Sequence, residues 1–458
     1  MDKIEKLKEE RDVEKLIELL DDRDVQIREE AVKALGMIGA EKALSRLIEL
    51  LKEDPASTVR ANAALALSNL ESENCKKALK EAAEDEGWEV RHDSAIAMRD
   101  FQDEELKEKL CSLINDEELE VRKKAIDSLG EIGDENKISE IEGYLDDETL
   151  KKNAAKAISK ITTEKAVEPL EEIYYDGDQE MREIAVQGLG KIETEEASSV
   201  ILDALEDDSW RIREEASKIL GEKGDDDHVE PLIKRLKDEN KYVVEAALRS
   251  MGRFDKDGVM EAIKGKMDDN EPNIRIAVAD ALETIDTEKS AKLLLDQLEE
   301  EEHPRVLWSI SESLSDISKD ILRDLKTELD SISKDKNIFV SASMAKAGFS
   351  SYAEDLIPAL ESERWKIRQK ASEAFGQIKI DELNKRNRKK VVSRLRDRLK
   401  DNDKWVRARS VRTLGKILSE LDGDIDREDI KEEILELKDI EADEDVLEAV
   451  RDVKDLLD

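Results

Sequence analysis

The chain has 458 residues, 39% of them apolar, with 117 Asp and Glu against 77 Lys and Arg and a formal net charge of −40. That charge argues against nucleic acid as the main ligand, because neutralisation of phosphates by Lys and Arg drives such binding. There is no 18-residue apolar run, so no membrane span is expected, and the charged start MDKIEKLKEERD lacks the apolar region of a secretory leader. The two cysteines, Cys75 and Cys111, sit at different heights of successive elements and read as reduced packing residues of a cytoplasmic protein.

The elements, taken in chain order, repeat. DVEKLIELLDD is a first amphipathic helix, and RDVQIREEAVKALGMIG, Arg23 to Gly39, is a second. Ile27, Ala31, Leu35 and Ile38 make its apolar stripe, with Arg28 beside it. The pattern returns in STVRANAALALSNL at Arg60, in WEVRHDSAIAMRDF at Arg91 and in LEVRKKAIDSLGEIG at Arg122. It continues at nearly constant spacing through Lys151, Arg182, Arg213, Val244 and Arg275. Weaker copies follow at Leu307 and Val340, clear ones at Arg368 and Arg407, and a truncated one near Val446. A fixed period of this length marks a stacked-repeat protein.

Each unit pairs a first helix with an anchor helix. KALSRLIELLKED, ASSVILDALEDD and HVEPLIKRLKDE are first helices, and Pro169 and Pro231 lie near such helix starts, where a missing N–H costs nothing. Gly39, Gly133 and Gly224 end anchor helices. No segment alternates with period two, so the expected class is all-α: a right-handed α-solenoid of about fourteen two-helix units sharing one core.

An acid stands six residues before the anchor. The pairs are Asp22 and Arg28, Asp54 and Arg60, Asp85 and Arg91, Asp116 and Arg122, Asp176 and Arg182, Asp207 and Arg213, Asp269 and Arg275, and Asp401 and Arg407. Each Arg can reach turn carbonyls and the Asp of its own or a neighbouring unit, making a ladder along one rim. The alternative is a row of anion-binding arginines, against which the matched Asp argues.

The frame Asp-x5-Arg-x2-Ala-x3-Leu-Gly-x-Ile, as in Asp116, Arg122, Ala125, Leu129, Gly130 and Ile132, together with VEPLIKRL, resembles the HEAT-repeat family, in particular the short-repeat class named after phycobilisome lyase subunits. The resemblance spans nearly the whole chain and implies the solenoid fold. It does not choose among lyase subunits, a metal hydroxylase and interaction scaffolds, all present in the class. It also implies that anchor helices line a concave face. Positions +1, +2, +5 and +9 from eleven clear anchors sum to only +1, so the acidity belongs to the first helices and loops. Lys123, Lys124, Lys152, Lys156 and Lys160 form a basic spot on that face, which suits a protein or peptide partner. Trp88, Trp210 and Trp365, each three residues before an anchor, read as packing positions that cap the anchor helix.

From 303 to 351 the anchor arginines are missing and serines crowd the units, so 301–360 reads as a possible joint between an array over 1–300 and one over 361–458. The segment from Lys385 to Lys416 holds fourteen Lys and Arg against three Asp, and 420–458 follows with eighteen acids against five bases as an acidic cap. Asn384 to Lys390 reads as an exposed loop insertion. Lys385, Arg386, Arg388, Lys389, Lys390, Arg394, Arg398, Arg409 and Arg412 are the candidate docking residues for an acidic partner or a second copy. The alternatives are neutralisation by the neighbouring acids through stacked helices and, behind it, a nucleic-acid contact, because clustered Lys and Arg are its electrostatic footprint.

Nothing points to chemistry. The three histidines precede Asp93, Val229 and Pro304, so none makes the His-Glu pair of the family's dinuclear iron enzymes, and no Cys or His cluster has zinc spacing. No catalytic, cofactor or metal residue is assigned. The expected function is a non-catalytic scaffold holding a protein or peptide along the concave face. The alternative is an accessory subunit of a protein-modifying enzyme, of the bilin-lyase kind.

Overall fold

The computed structural model describes residues 2–70, 72–101, 103–254, 258–333, 336–378, 380–420 and 427–457. Among them there is no strand, and the helices fall into fourteen pairs behind a short leading helix, Asp2–Glu9. The fold is an α-solenoid. No described helix is long and apolar enough to cross a membrane.

The chain divides into two compact units, 1–220 and 221–458. In the first, representative pairs are Leu44–Glu53 with Ser57–Ser68 and Glu104–Leu113 with Leu119–Ile132. In the second they include Glu288–Glu300 with Pro304–Asp316 and Lys385–Arg398 with Lys404–Glu420. The serine-rich stretch lies inside the second unit, and Ser311, Ser313, Ser315, Ser341 and Ser343 are buried there. The Ser311 hydroxyl donates to the carbonyl of Phe339 at 2.9 Å and lies 3.0 Å from that of Ser343.

Local chemistry sets the helix ends. Asp24, Ser72 and Asp103 accept from the first-turn N–H groups of their helices, and Thr287 with Ser290 closes a reciprocal cap. Gly39 and Gly133 end anchor helices at φ +66° and +72°. Asn384 caps the helix Lys385–Arg398, so 385–390 is helix and not the loop expected there. Its basic residues recur on successive turns, a pattern that a count of charges hides.

Packing is closest between successive anchor helices. Val32, Leu35, Ala63 and Leu67 are almost fully buried in the first unit, as Val278, Leu282, Ile310 and Leu314 are in the second. Each large side chain of this kind contributes about 1.5–3 kcal/mol by leaving water. A glycine eight residues past the anchor permits the approach: a Cβ on Gly36 would meet the Cα of Ala66 at 2.8 Å, and one on Gly130 that of Ala157 at 2.5 Å. Some face positions expected in solvent, Ala61, Ile184, Ala246 and Ala408, are buried by the same packing. Both cysteines are free thiols; Cys75 is buried, and burial pushes the Cys111 thiol up to about 11.

Gly130→Ala should therefore cost about 1–3 kcal/mol of stability through forced helix separation. Gly133→Ala meets no neighbour within 4 Å and strains only its φ of +72°, at about 1 kcal/mol. Urea midpoints of the two variants, with Gly130→Ala the lower, check this.

Candidate docking face and its supporting ladder

The anchor arginines point to the next unit. Nε and Nη2 of Arg28 donate to the two carboxylate oxygens of Asp54 at 2.8 and 2.9 Å, while Nη1 donates to the Asp22 carbonyl at 2.9 Å. The same fork joins Arg60 to Asp85, Arg91 to Asp116 and Arg182 to Asp207 in the first unit. In the second it joins Arg275 to Glu301, Arg368 to Asp401 and Arg407 to Glu441. The acid in turn accepts from the N–H two residues on, as Asp54 does from Ala56 at 2.9 Å and Asp116 from Glu118 at 2.9 Å. A rung thus ties an anchor helix, its own turn and the following turn. Arg213 donates Nη1 to the carbonyls of Asp207 and Asp208 at 2.8 and 3.1 Å.

This register differs from own-unit pairing in several places. The carboxylate of Asp116 belongs to Arg91, and among the described residues Arg122 hydrogen-bonds only the Asp116 and Glu117 carbonyls. Asp22 holds the N–H of Asp24, Asp176 is exposed with no ion pair among the described residues, and Asp269 takes Lys266 at 3.1 Å. Glu301 and Glu441, absent from the sequence-derived ladder, are full rung acids. Their own anchors are Leu307 and Val446, so only a search toward the preceding unit finds them. Lys336, 4% exposed, donates its ammonium to the Glu301 carbonyl, the place an arginine at 307 would take.

Burial pushes the Asp116, Glu301 and Asp401 carboxyls up; the facing guanidinium and the turn N–H groups more than offset it and hold all three below their ordinary range. The facing arginines are raised, chiefly by the hydrogen bonds to these acids.

The face presented by the anchor helices carries balanced charge. Lys123, Lys124 and Lys160 pair with Glu120, Asp127 and Glu131 at 2.9, 3.9 and 2.6 Å, and Lys152 with Glu180. Lys156 is exposed and unpaired among the described residues. The C-terminal bases are largely met by acids. Arg394 pairs with Glu361 at 2.7 Å, Arg398 with Asp401 at 3.1 Å, Arg409 with Glu373 at 3.7 Å and Arg412 with Asp452 at 3.3 Å. Arg396 bridges Asp429 and Glu433, and Lys404 bridges Asp443 and Asp445. Lys385, Arg386, Arg388, Lys389 and Lys390 occupy the first two turns of their helix, where Arg386, Lys389 and Lys390 are exposed without a carboxylate partner among the described residues. A cleft of about 580 Å³ opens between that helix and Arg427–Ile440.

On the anchor face of the second unit a smaller cleft is lined by Trp308, Ser311, Glu312, Ala342, Lys370 and Gln377. Trp308 meets Phe339 edge-on at 4.6 Å. Lys370 lies 5.9 Å from the Trp308 ring centre and binds Glu312 at 2.7 Å and Glu373 at 3.2 Å. The Gln377 amide is exposed and has no partner among the described residues. The sequence signal was an aromatic one residue past a degenerate anchor. Trp88, Trp210 and Trp365 instead begin their helices, Trp88 with 41% of its surface exposed, and Arg211 and Lys366 lie over the latter two rings. Among the described residues no three His, Cys, Asp or Glu side chains stand together as metal ligands.

The family model described as HEAT repeats matches residues 3–68, 75–151, 172–244, 229–315 and 353–450. No curated protein sequence matches the chain. Among solved structures, the karyopherin Kap121p bound to the extreme C-terminus of the protein phosphatase Cdc14p is similar at TM-score 0.54 and 12% identity, over 93% of this chain and 54% of that one. Kap121p bound to Ste12p gives 0.53 and 13%, over 93% and 54%, and Kap121p bound to Pho4p gives 0.52 and 11%, over 96% and 53%. The chain therefore spans about half the length of these structures, and the likeness is one of fold.

Arg91→Ala leaves the carboxylate of Asp116 buried and unpaired and should cost on the order of 3–5 kcal/mol. Arg122→Ala loses carbonyl hydrogen bonds alone and should cost about 1–2 kcal/mol. Because Asp116 titrates low, its contribution is complete above the unfolded carboxylate pKa of about 4 and fades as pH falls through the lower folded value. Urea midpoints at pH 7 and pH 3 should show Arg91→Ala differing from the parent far less at pH 3 than at pH 7.

Proposed function

We propose that this chain, which belongs to the HEAT-repeat family, is a non-catalytic scaffold that holds an extended segment of a partner protein against its anchor-helix face. The cleft around Trp308 carries the reading. The ladder arginines are taken up in joining units, whereas Trp308 offers an aromatic wall, Lys370 a cation set between two carboxylates, and Gln377 an amide for a peptide backbone. That set suits one apolar or aromatic side chain and the peptide bonds beside it. The near-neutral face around it disfavours a strongly charged ligand. Within the family we place the chain in the short-repeat class named after phycobilisome lyase subunits, on the strength of its short, nearly constant spacing, as from Arg182 to Arg213, and its Asp-Arg frame. The accessory-subunit alternative has no observation in its favour. The solved karyopherin complexes with Cdc14p, Ste12p and Pho4p support protein binding as the kind of work such an array does.

A photo-crosslinking residue at Gln377 should capture a partner polypeptide from a lysate of the source cells, and one at Lys289, on a first helix, should not. Trp308→Ala should weaken binding of the captured partner by about tenfold or more, as loss of a central aromatic anchor does. Equal capture from both positions with no effect of Trp308→Ala would refute the assignment of this face.

A further inference from the structure

Seven arginines of the ladder, at positions 28, 60, 91, 182, 275, 368 and 407, place Nε and Nη2 on two carboxylate oxygens at 2.6–3.1 Å. Arg122 holds the same inner contacts as they do, Nη1 to the carbonyls of Asp116 and Glu117 at 2.8 and 3.2 Å. Its Nε–Nη2 edge meets no carboxylate among the described residues. The cause is one residue. Six positions before the next anchor, Lys151, stands Leu145, which packs against the core where the other units place an acid. Asp147 is two residues too late: its Oδ1 accepts the hydroxyl and N–H of Thr149 and the N–H of Leu150, and its carboxylate feels the charge of Arg122 without forming an ion pair with it. Arg122 is only partly buried, and Tyr144 and Asp147 are the groups that feel its charge from the following unit.

A guanidinium held by its far nitrogen and open along the Nε–Nη2 edge is preorganised for a bidentate carboxylate. We propose that Arg122 is a docking point for an Asp or Glu side chain of a partner polypeptide, which supplies from outside the acid that Leu145 replaces. The Asn115 side chain, which accepts the Tyr144 hydroxyl at 2.7 Å, lies on the same rim. The site belongs to the first unit and stands or falls independently of the cleft at Trp308.

Side-chain Nε–H resonances of the full chain, titrated with acetate at constant ionic strength, test this. Arg122 should show a saturable shift with an apparent Kd at least tenfold below that of Arg11, an exposed arginine with no side-chain partner. Leu145→Asp should abolish the acetate response of Arg122 by supplying the rung internally, and should raise the urea midpoint. A response at Arg122 no stronger than at Arg11, or one unchanged by Leu145→Asp, overturns the proposal. Inorganic phosphate binding at least tenfold tighter than acetate also overturns it, in favour of a phosphorylated partner. If Leu145→Asp fails to fold, the comparison of Arg122 with Arg11 in the native chain decides.

Discussion

The Arg–acid rung between consecutive units is the interaction on which the array's architecture depends. A two-helix unit cannot bury its apolar stripe alone, so stability comes from neighbour contacts. The apolar contact is nondirectional and would tolerate sliding. The fork of Arg28 on Asp54, with Nη1 fixed on its own turn, does not. It specifies which turn faces which helix and at what height. The glycine at 36 lets its helix close on the next to the distance at which the fork of Arg28 fits.

The same pairing explains how a chain of net charge −40 stacks at all. Within a rung the charges cancel, so the repeated acid does not repel its neighbours at neutral pH, and the carboxylates of Asp116, Glu301, Asp401 and Glu441 sit below their ordinary titration range. At the C-terminal end the principle widens from a rung to a surface. Arg396, Lys404, Arg407 and Arg412 each take acids from the segment that holds the helices Arg427–Ile440 and Glu444–Leu457. The basic segment is largely a counter-charge for the acidic cap. Its outward turn, with Arg386, Lys389 and Lys390, and Lys400 at its far end keep cations without a carboxylate partner among the described residues.

Much of this was legible in the sequence, because period and anchor chemistry are local. The regular return of the anchor from Arg28 to Arg275 and the stripe Ile27, Ala31, Leu35 and Ile38 suffice for helix pairs. The direction of the rung was not legible, because an acid six residues before each Arg is equally consistent with pairing inside a unit or across two. Glu301 and Glu441 escaped for that reason. Lys336 escaped because it replaces an arginine from a different unit, far along the chain from the Leu307 anchor it serves. The helical state of 385–390 was obscured by a stretched spacing that a loop and a longer helix explain equally well.

What repeats in such an array goes into stacking, so recognition must come from what does not repeat. Arg91 has both edges of its guanidinium occupied and offers a partner nothing. Trp308 and Leu145 are departures of opposite sense: the first adds an aromatic to a face of small and charged side chains, the second removes an acid and frees an arginine edge. Each costs the array part of a rung, since Leu307 carries no guanidinium and Arg122 pairs with no carboxylate among the described residues. In the first case Lys336 restores the contact to the Glu301 carbonyl from within the chain. In the second nothing within the described residues does so, and that asymmetry separates a repaired irregularity from one left available to a partner.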